Sequence, residues 1–412
     1  MLKGEQLIDF RVIDLSAENG LFCGKMLADL GADVIMAEPP DGSAARNIGP
    51  FYHDISDPEK SLFWFAHNVN KRGITLNIEM EEGRNLFKRL IAGADCVIES
   101  FTPGYLDKLG LGYSDLNKLN PRIIMTSITP FGQTGIYSKY AASDLVLQAM
   151  SGWDCGEPDR APLRWGGEQS LVLPGIAAVS ATMIALYARE HTGCGQHVDV
   201  SMRESLCWCG FVPLQALFWE FGKEIKVREG NQSMRGAVKV STIYKCADGY
   251  ISWRLWTGSM ARLTRNAVNW LCDLGIAGEL DAIDWAKIDL LSAKQGDWNK
   301  YEQAFTDAFM KFTKHEIYEA AGKWKFIAVP VSGARDIFNN PQLEARNYFG
   351  PMEHRELGAS ILYPGNWFKS TNSLNRVNKR APLPGENNQD IYVKELGMPE
   401  HELTNLKSKG VI

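Results

Sequence analysis

Several large classes of protein are excluded by what this 412-residue chain does not have. Its eight cysteines, Cys23, Cys96, Cys155, Cys194, Cys207, Cys209, Cys246 and Cys272, form no CxxC pair, so neither a zinc site nor a disulfide framework is indicated and no metal is expected. The nearest two, Cys207 and Cys209, read as buried thiols in a mostly apolar segment. There is no basic excess: 44 Lys and Arg stand against 49 Asp and Glu, a net charge of −5. Such a chain has no broad positive field for a phosphate backbone, which removes nucleic acid as a partner. The start, Met1-Leu2-Lys3-Gly4-Glu5-Gln6, lacks the basic segment and apolar core of a secretory signal, and no uninterrupted apolar run reaches bilayer length. A cytoplasmic protein without a membrane partner is therefore expected. Internal repeats and low-complexity segments are also missing. What remains, 45% hydrophobic and 23% charged residues, is the composition of an ordinary globular enzyme, and the length suits two domains.

The first half alternates β-rich runs with helical ones. Phe10 to Leu15 and Ala32 to Met36 read as strands around a helix in Gly24–Gly31. Glu81 to Ala94 has apolar residues at helical spacing (Leu86, Leu90, Ile91), and Cys96-Val97-Ile98 and Arg122 to Thr126 read as further strands. Alternation of this kind predicts an α/β, Rossmann-like domain with a parallel sheet. Leu173 to Glu190 is apolar almost throughout and reads as a buried helix with Pro174 in its first turn. After a glycine-bearing loop at 230–236, Thr242 to Lys245 and Tyr250 to Trp253 form a hairpin pattern across Ala247-Asp248-Gly249, and Phe326 to Val331 is a further apolar run. The expected organisation is a large domain from 1–224 and 331–412, with a smaller α+β domain from 225–330 between them.

Several segments, taken in order, resemble the class III coenzyme A transferases. They are Leu30 to Ile35 followed by Glu38-Pro39; Asn70-Lys71-Arg72-Gly73; Glu99-Ser100-Phe101-Thr102-Pro103-Gly104; Leu109 to Tyr113; Phe131 to Gly135; Gln148 to Gly152; and Arg189 with Thr192 to Gln196. Each is weak alone, and the order is specific. The resemblance implies an interlocked dimer with coenzyme A or acyl-CoA as substrate and no covalently bound cofactor. It places Arg46, Asn70, Lys71, Arg72, Ser100 (where the family usually has Asn), Phe101 and Lys108 at the CoA site, the cations serving its phosphates. On the residues alone, Lys71-Arg72 reads more often as a solvated turn, which the resemblance reverses, and Arg46 reads equally as a surface arginine. The first loop departs from the family's Ala-Gly-Pro: here it is Glu18-Asn19-Gly20-Leu21, which implies an altered pocket.

Members of the family transfer CoA through an aspartate that attacks the acyl-CoA thioester and passes through a mixed anhydride to an aspartyl thioester. A carboxylate is needed because it can leave again at each stage. Anchoring on Gly175 and on Thr192 to Gln196 puts Leu171 at that position, and leucine has no group able to attack. Glu168 is the nearby carboxylate, with a helix cap as its ordinary reading. Ser170 has no paired base. Asp144 matches an acidic position used near the family's active site and also reads as a first-turn carboxylate on its helix.

Three functions follow: a non-catalytic subunit paired with a homologous catalytic subunit in a heterodimer or heterotetramer, moving CoA from a donor such as succinyl-CoA to a carboxylic acid; a self-sufficient transferase or isomerase using Glu168; or a CoA-binding module without turnover. Trp253, Trp256 and Met234 read either as an apolar wall for an aromatic acid or as core.

Overall fold

Val, Ile and Met dominate the short runs that become strands, and nearly every position in those runs is buried, as a sheet covered on both faces requires. The computed structural model describes residues 7, 9–153, 164–209, 219–223, 230–365, 367–371 and 377–412. The chain separates into two compact units, one made of Met1–Asp154, Pro162–Ile225 and Glu344–Ile412, the other chiefly of Lys226–Leu343. The expected boundary near 225 lies outside the described residues. Residues 331–343 group with the smaller unit, to which the Val331 amide (donating to the Tyr250 carbonyl) and Asp336 (2.7 Å from the Lys314 ammonium) tie them.

The larger unit is built on six parallel strands: β1 (Arg11–Asp14), β2 (Asp33–Glu38), β3 (Arg72–Thr75), β4 (Cys96–Glu99), β5 (Ile124–Thr129) and β6 (His197–Ser201), in the order β3-β2-β1-β4-β5-β6. This is the doubly wound order, and strand alternation divides its side chains between two cores. Ile13, Ile35, Ile74, Val97 and Met125 face one side, where helix α3 (Glu81–Ala92) contributes Leu86, Phe87, Leu90 and Ile91. Val12, Val34, Cys96, Ile98 and Ile124 face the other, packed against α1 (Leu21–Asp29) and α7 (Gln169–Thr192). Between them in sequence lie α2 (Leu62–Asn68), α4 (Tyr105–Lys108), α5 (Tyr113–Leu119) and α6 (Asp144–Met150), and α8 (Met202–Cys209) follows β6. The exposed edge of β3 is covered by the returning tail: the Asn387 and Asn388 side chains accept from the Gly73 and Thr75 amides, and the Tyr392 hydroxyl donates to the Thr75 carbonyl, which removes an open strand edge.

Three local expectations are corrected. Helix α7 begins at Gln169, so Pro174 lies inside it, beyond the first turn, and its missing N–H leaves the Ser170 carbonyl without a helical donor. Helix α7 is also long and apolar enough to cross a membrane by length and composition, although only 33% of that stretch is buried inside the chain; Ser180 and Thr182 interrupt the run in sequence. Here it packs on α1, α8, β5 and β6. Cys207 is half-buried and Cys209 exposed, because α8 turns its last residues away from the core.

The smaller unit contains the hairpin β7 (Gln232–Arg235) and β8 (Val238–Ser241), and an antiparallel sheet in the order β11-β10-β9, formed by β9 (Ile243–Cys246), β10 (Gly249–Trp253) and β11 (Ala328–Pro330). Helices α9 (Ala261–Asp273), α10 (Gln295–Phe309) and α11 (Lys314–Trp324) close an aromatic core of Tyr244, Trp253, Trp270, Trp285, Trp298, Phe305 and Phe309.

Candidate functional site

In a doubly wound sheet, ligands bind at the carboxyl ends of the strands where the order reverses, here between β1 and β4. The loops leaving these two strands are joined: the Leu15 amide donates to the Ile98 carbonyl, and the Ala17 amide donates to the Ser100 hydroxyl at 2.9 Å. Phe101 follows, its amide on the Glu99 carboxylate and its ring 4.8 Å from Tyr105. Burial pushes the Glu99 carboxyl up. Lys108, at the end of α4, is exposed.

The other residues assigned to CoA are committed to the protein. The Lys71 side chain is 0% exposed, and its ammonium donates to Asp14 (2.8 Å), Asn68 (2.9 Å) and the Leu21 carbonyl (3.0 Å). All three donors are used, so neither a solvated turn nor a phosphate contact describes it. Gly24 makes this pair possible: a Cβ there would lie 2.1 Å from the Asp14 carboxylate and 3.0 Å from the Lys71 nitrogen. Arg46 is neither a surface residue nor open to a ligand. Its guanidinium forks onto both Glu38 oxygens at 2.6 and 2.7 Å, donates to the Pro382 carbonyl and lies 4.0 Å over the Trp64 ring. Arg72 pairs with Asp33 and Glu395, though it still lines a cleft of about 480 Å³ together with Arg355, Lys379, Arg380, Glu386 and Asp390. Asn70 has left-handed backbone (φ 64°) and ties α1 to the tail through Asp29 and the amides of Asn378 and Lys379.

The first loop is divided. Leu21 opens α1 and is fully buried beside Met36 and Trp64, so it belongs to the core rather than to a pocket wall. Glu18 is exposed and close enough for its charge to act on Glu168. Glu168 occupies the N-cap of α7 in a left-handed conformation, and its side chain makes no capping bond. Burial raises its carboxyl above the ordinary glutamate range; Arg164 opposes this, while Asp144 and Glu18 add to it. Asp144 opens α6 after the Ser143 cap and also reaches the start of α7, where it accepts from the Ser170 amide (3.1 Å) and hydroxyl (2.5 Å), from Gln148, and from Arg164 at 2.5 Å. Burial would raise it, but the Ser170 and Arg164 contacts prevail and hold it below the aspartate range. Leu171, one residue on, is partly buried and packs against two apolar clusters at once.

Asp144, Ser170, Glu168 and Arg164 are thus brought together at the start of α7, whereas Arg46 and Arg72 lie on the β2–β3 side. Arg164 escaped the sequence reading, since a lone arginine in a loop carries no periodic signal. The pairing of Asp14 and Glu38 did have one: a carboxylate closing an apolar strand must find a cation or hydrogen-bond donors when buried. Of the aromatic trio, Trp253 is core, Trp256 is half-buried and Met234 is exposed.

With this geometry in view, the relatives can be placed. The chain is 34% identical over 413 residues, 99% of its length and 98% of the other's, to the BbsE subunit of succinyl-CoA:(R)-benzylsuccinate CoA-transferase from Thauera aromatica. It is 32% identical, with 98% of each chain covered, to the formyl-CoA:oxalate CoA-transferase of Streptomyces avermitilis. A crystal structure of a CAIB/BAIF family protein from Brucella suis superposes with a TM-score of 0.81 at 28% identity, covering 95% of this chain and all of that one. The profile of CoA-transferase family III matches residues 7–388, and the chain belongs to that family.

Proposed function

We propose that this chain is the non-catalytic subunit of a heteromeric CoA-transferase that moves CoA from a donor such as succinyl-CoA to a dicarboxylic acid such as benzylsuccinate, the covalent step being carried out by a homologous partner. The observation that carries this reading is the start of α7. Leu171 is packed into apolar surroundings there, and the nearest well-ionised carboxylate, Asp144, is already bound by Ser170, Gln148 and Arg164. A nucleophile must be free to attack and to leave; neither residue is. The similarity to a chain that is itself a subunit supports the heteromer. So does the outer face of α7, where Ile184 and Tyr187 are 69% and 70% exposed, more apolar surface than a lone helix face ordinarily leaves to water. An interlocked dimer would cover it.

Under this reading CoA enters at the β1–β4 crevice, meeting Ser100, Phe101 and the exposed cation of Lys108, while Lys71 and Arg46 hold the frame beneath. A second reading rests on Glu168, whose raised proton affinity and open side chain suit a group that takes part in chemistry. Replacing Glu168 by Gln in the chain purified with its partner separates the two. Gln keeps the size and hydrogen bonding but cannot form an anhydride. The expected result is a transfer rate within about two-fold of the original, together with abolition of turnover when the partner's own nucleophilic carboxylate is removed. Loss of several orders of magnitude in the Glu168→Gln complex would transfer catalysis to this chain.

A further inference from the structure

Three strands of the larger unit end in a buried carboxylate: Asp14 closes β1, Glu38 closes β2 and Glu99 closes β4, the last only 3% exposed. Lys71 and Arg46 answer the first two. Glu99 forms no ion pair among the described residues. The charged groups that face it are Asp107 on α4 and Asp199 on β6, both of its own sign, and Asp14 on the neighbouring β1 already holds Lys71. A buried carboxylate without a cation needs hydrogen-bond donors or a proton.

Glu99 accepts from the Phe101 amide at 2.7 Å. Glu99 and Ser127 are partners in the parallel register of β4 and β5, which puts their side chains on one face, and the Ser127 hydroxyl is hydrogen-bonded to the Glu99 carboxyl. The same hydroxyl lies 2.8 Å from Nε2 of His197, an exposed residue of β6 whose ring stacks on Tyr113 at 5.6 Å. A chain of hydrogen bonds therefore runs from the buried carboxyl to an imidazole at the surface. Serine has one hydroxyl proton and can both donate and accept. When Glu99 is protonated it donates to Ser127, and Ser127 donates to Nε2; when Glu99 is ionised, Ser127 donates to it and accepts from Nε2. Both arrangements leave every member satisfied, so the charge on Glu99 changes without the interior being opened.

We propose that Glu99 is the proton-holding residue of the β1–β4 crevice, taking up a proton through His197 and Ser127 when the polyanionic CoA binds, and as a neutral acid holding the Phe101 amide beside the ligand. This rests on the entry of CoA at that crevice, as proposed above, and adds the group that adjusts its charge. In uptake, water gives a proton to Nδ1 of His197, Nε2 passes its proton to Oγ of Ser127, and the Ser127 hydroxyl proton passes to the Glu99 carboxylate, so one proton enters and one charge is lost. The phosphates of CoA make an ionised Glu99 costly, and neutralising it removes that repulsion. Glu38, fixed to Arg46, has no such freedom.

The test is calorimetric titration of CoA into the full chain, purified with its partner, in buffers of different ionisation enthalpy, which counts the protons taken up on binding. The unaltered complex is expected to take up more protons than Glu99→Gln, which mimics the neutral acid; protons on the CoA phosphates are common to both and cancel. Its affinity should also fall by about five-fold relative to Glu99→Gln as pH rises from about 5 to about 8. Ser127→Ala leaves the Phe101 contact in place and cuts the chain, so its uptake should drop to that of Glu99→Gln, and unchanged melting temperatures establish that both variants are folded. Equal uptake in the unaltered and Glu99→Gln complexes overturns the inference, and full uptake in Ser127→Ala overturns the relay. Phe101→Ala separates this failure from that of the reading beneath it. If Phe101→Ala binds CoA as tightly as the unaltered complex, CoA does not use this crevice and both fall; if it weakens binding ten-fold while Glu99→Gln leaves uptake unchanged, only the proton-holding role of Glu99 is refuted.

Discussion

In the larger unit, the carboxylates that close the first two strands, Asp14 and Glu38, are each met inside the protein by a cation, Lys71 and Arg46. In the smaller unit the buried carboxylate Glu302 is met by neutral donors, the amide and hydroxyl of Ser241 and the indole N–H of Trp298. The two solutions differ in how they fail. A buried ion pair has little net worth while intact, yet removing one member strands the other charge in the interior. A carboxylate held by neutral donors loses only one hydrogen bond at a time. The larger unit therefore depends on complete pairs. The smaller unit meets its buried carboxylate with neutral donors and keeps its ion pair of Arg265 with Asp281 at the surface.

The strongest way to sharpen this contrast is Lys71→Met. Asp14 would be left buried opposite a thioether, and the expected loss is roughly 3–5 kcal/mol in denaturant melts. Adding Asp14→Asn should recover most of it, since Asn still accepts from the Ser16 amide and carries no charge. If the single change is silent, the pair does not hold the frame. A CoA affinity that falls in the double variant despite restored stability would return Lys71 to the ligand.

Next in size is a pH effect within the same unit. His67 donates from Nδ1 to the Phe63 carbonyl and lies against the Phe63 ring. Burial, with smaller contributions from Lys71 and Lys25, lowers its pKa from 6.5 to about 4. The folded chain thus keeps His67 neutral where the unfolded chain takes up a proton. Stability should be level above about pH 6.5 and decline as pH falls towards 4, by up to about 3 kcal/mol. His67→Gln should flatten that stretch of the stability curve, and an unchanged slope would locate the acid sensitivity elsewhere. The smallest effect should come from the smaller unit: Glu302→Gln keeps one acceptor oxygen and forfeits another, at a cost of about 1–2 kcal/mol. A loss as large as that of Lys71→Met would erase the distinction between the units.

The contrast also marks what could be read in the sequence. The parallel sheet was legible because its strands are continuous β-branched runs separated by amphipathic helices, and the change of texture near 230 announced a second unit. The direction of Lys71 and Arg46 was not. A basic residue in a turn has the same local signal whether it faces solvent or folds under α1, and only the sheet order, which sets β3 and the tail beside β2, decides between them. Pro174 misled for a related reason: proline marks a first turn by preference, but α7 starts five residues earlier, where Asp144 supplies the Ser170 amide with an acceptor from a different helix. The fixing of the Trp256 backbone was hidden too, since it depends on Thr264 in the following helix.

Leu171 carries a mechanical consequence. Its side chain joins the cluster around Cys23 and Leu27 to the one around Trp64 and Met36, so one residue does mechanical service in two cores. A carboxylate placed there would loosen both at once, so this position tolerates charge less readily than an exposed turn of the same helix.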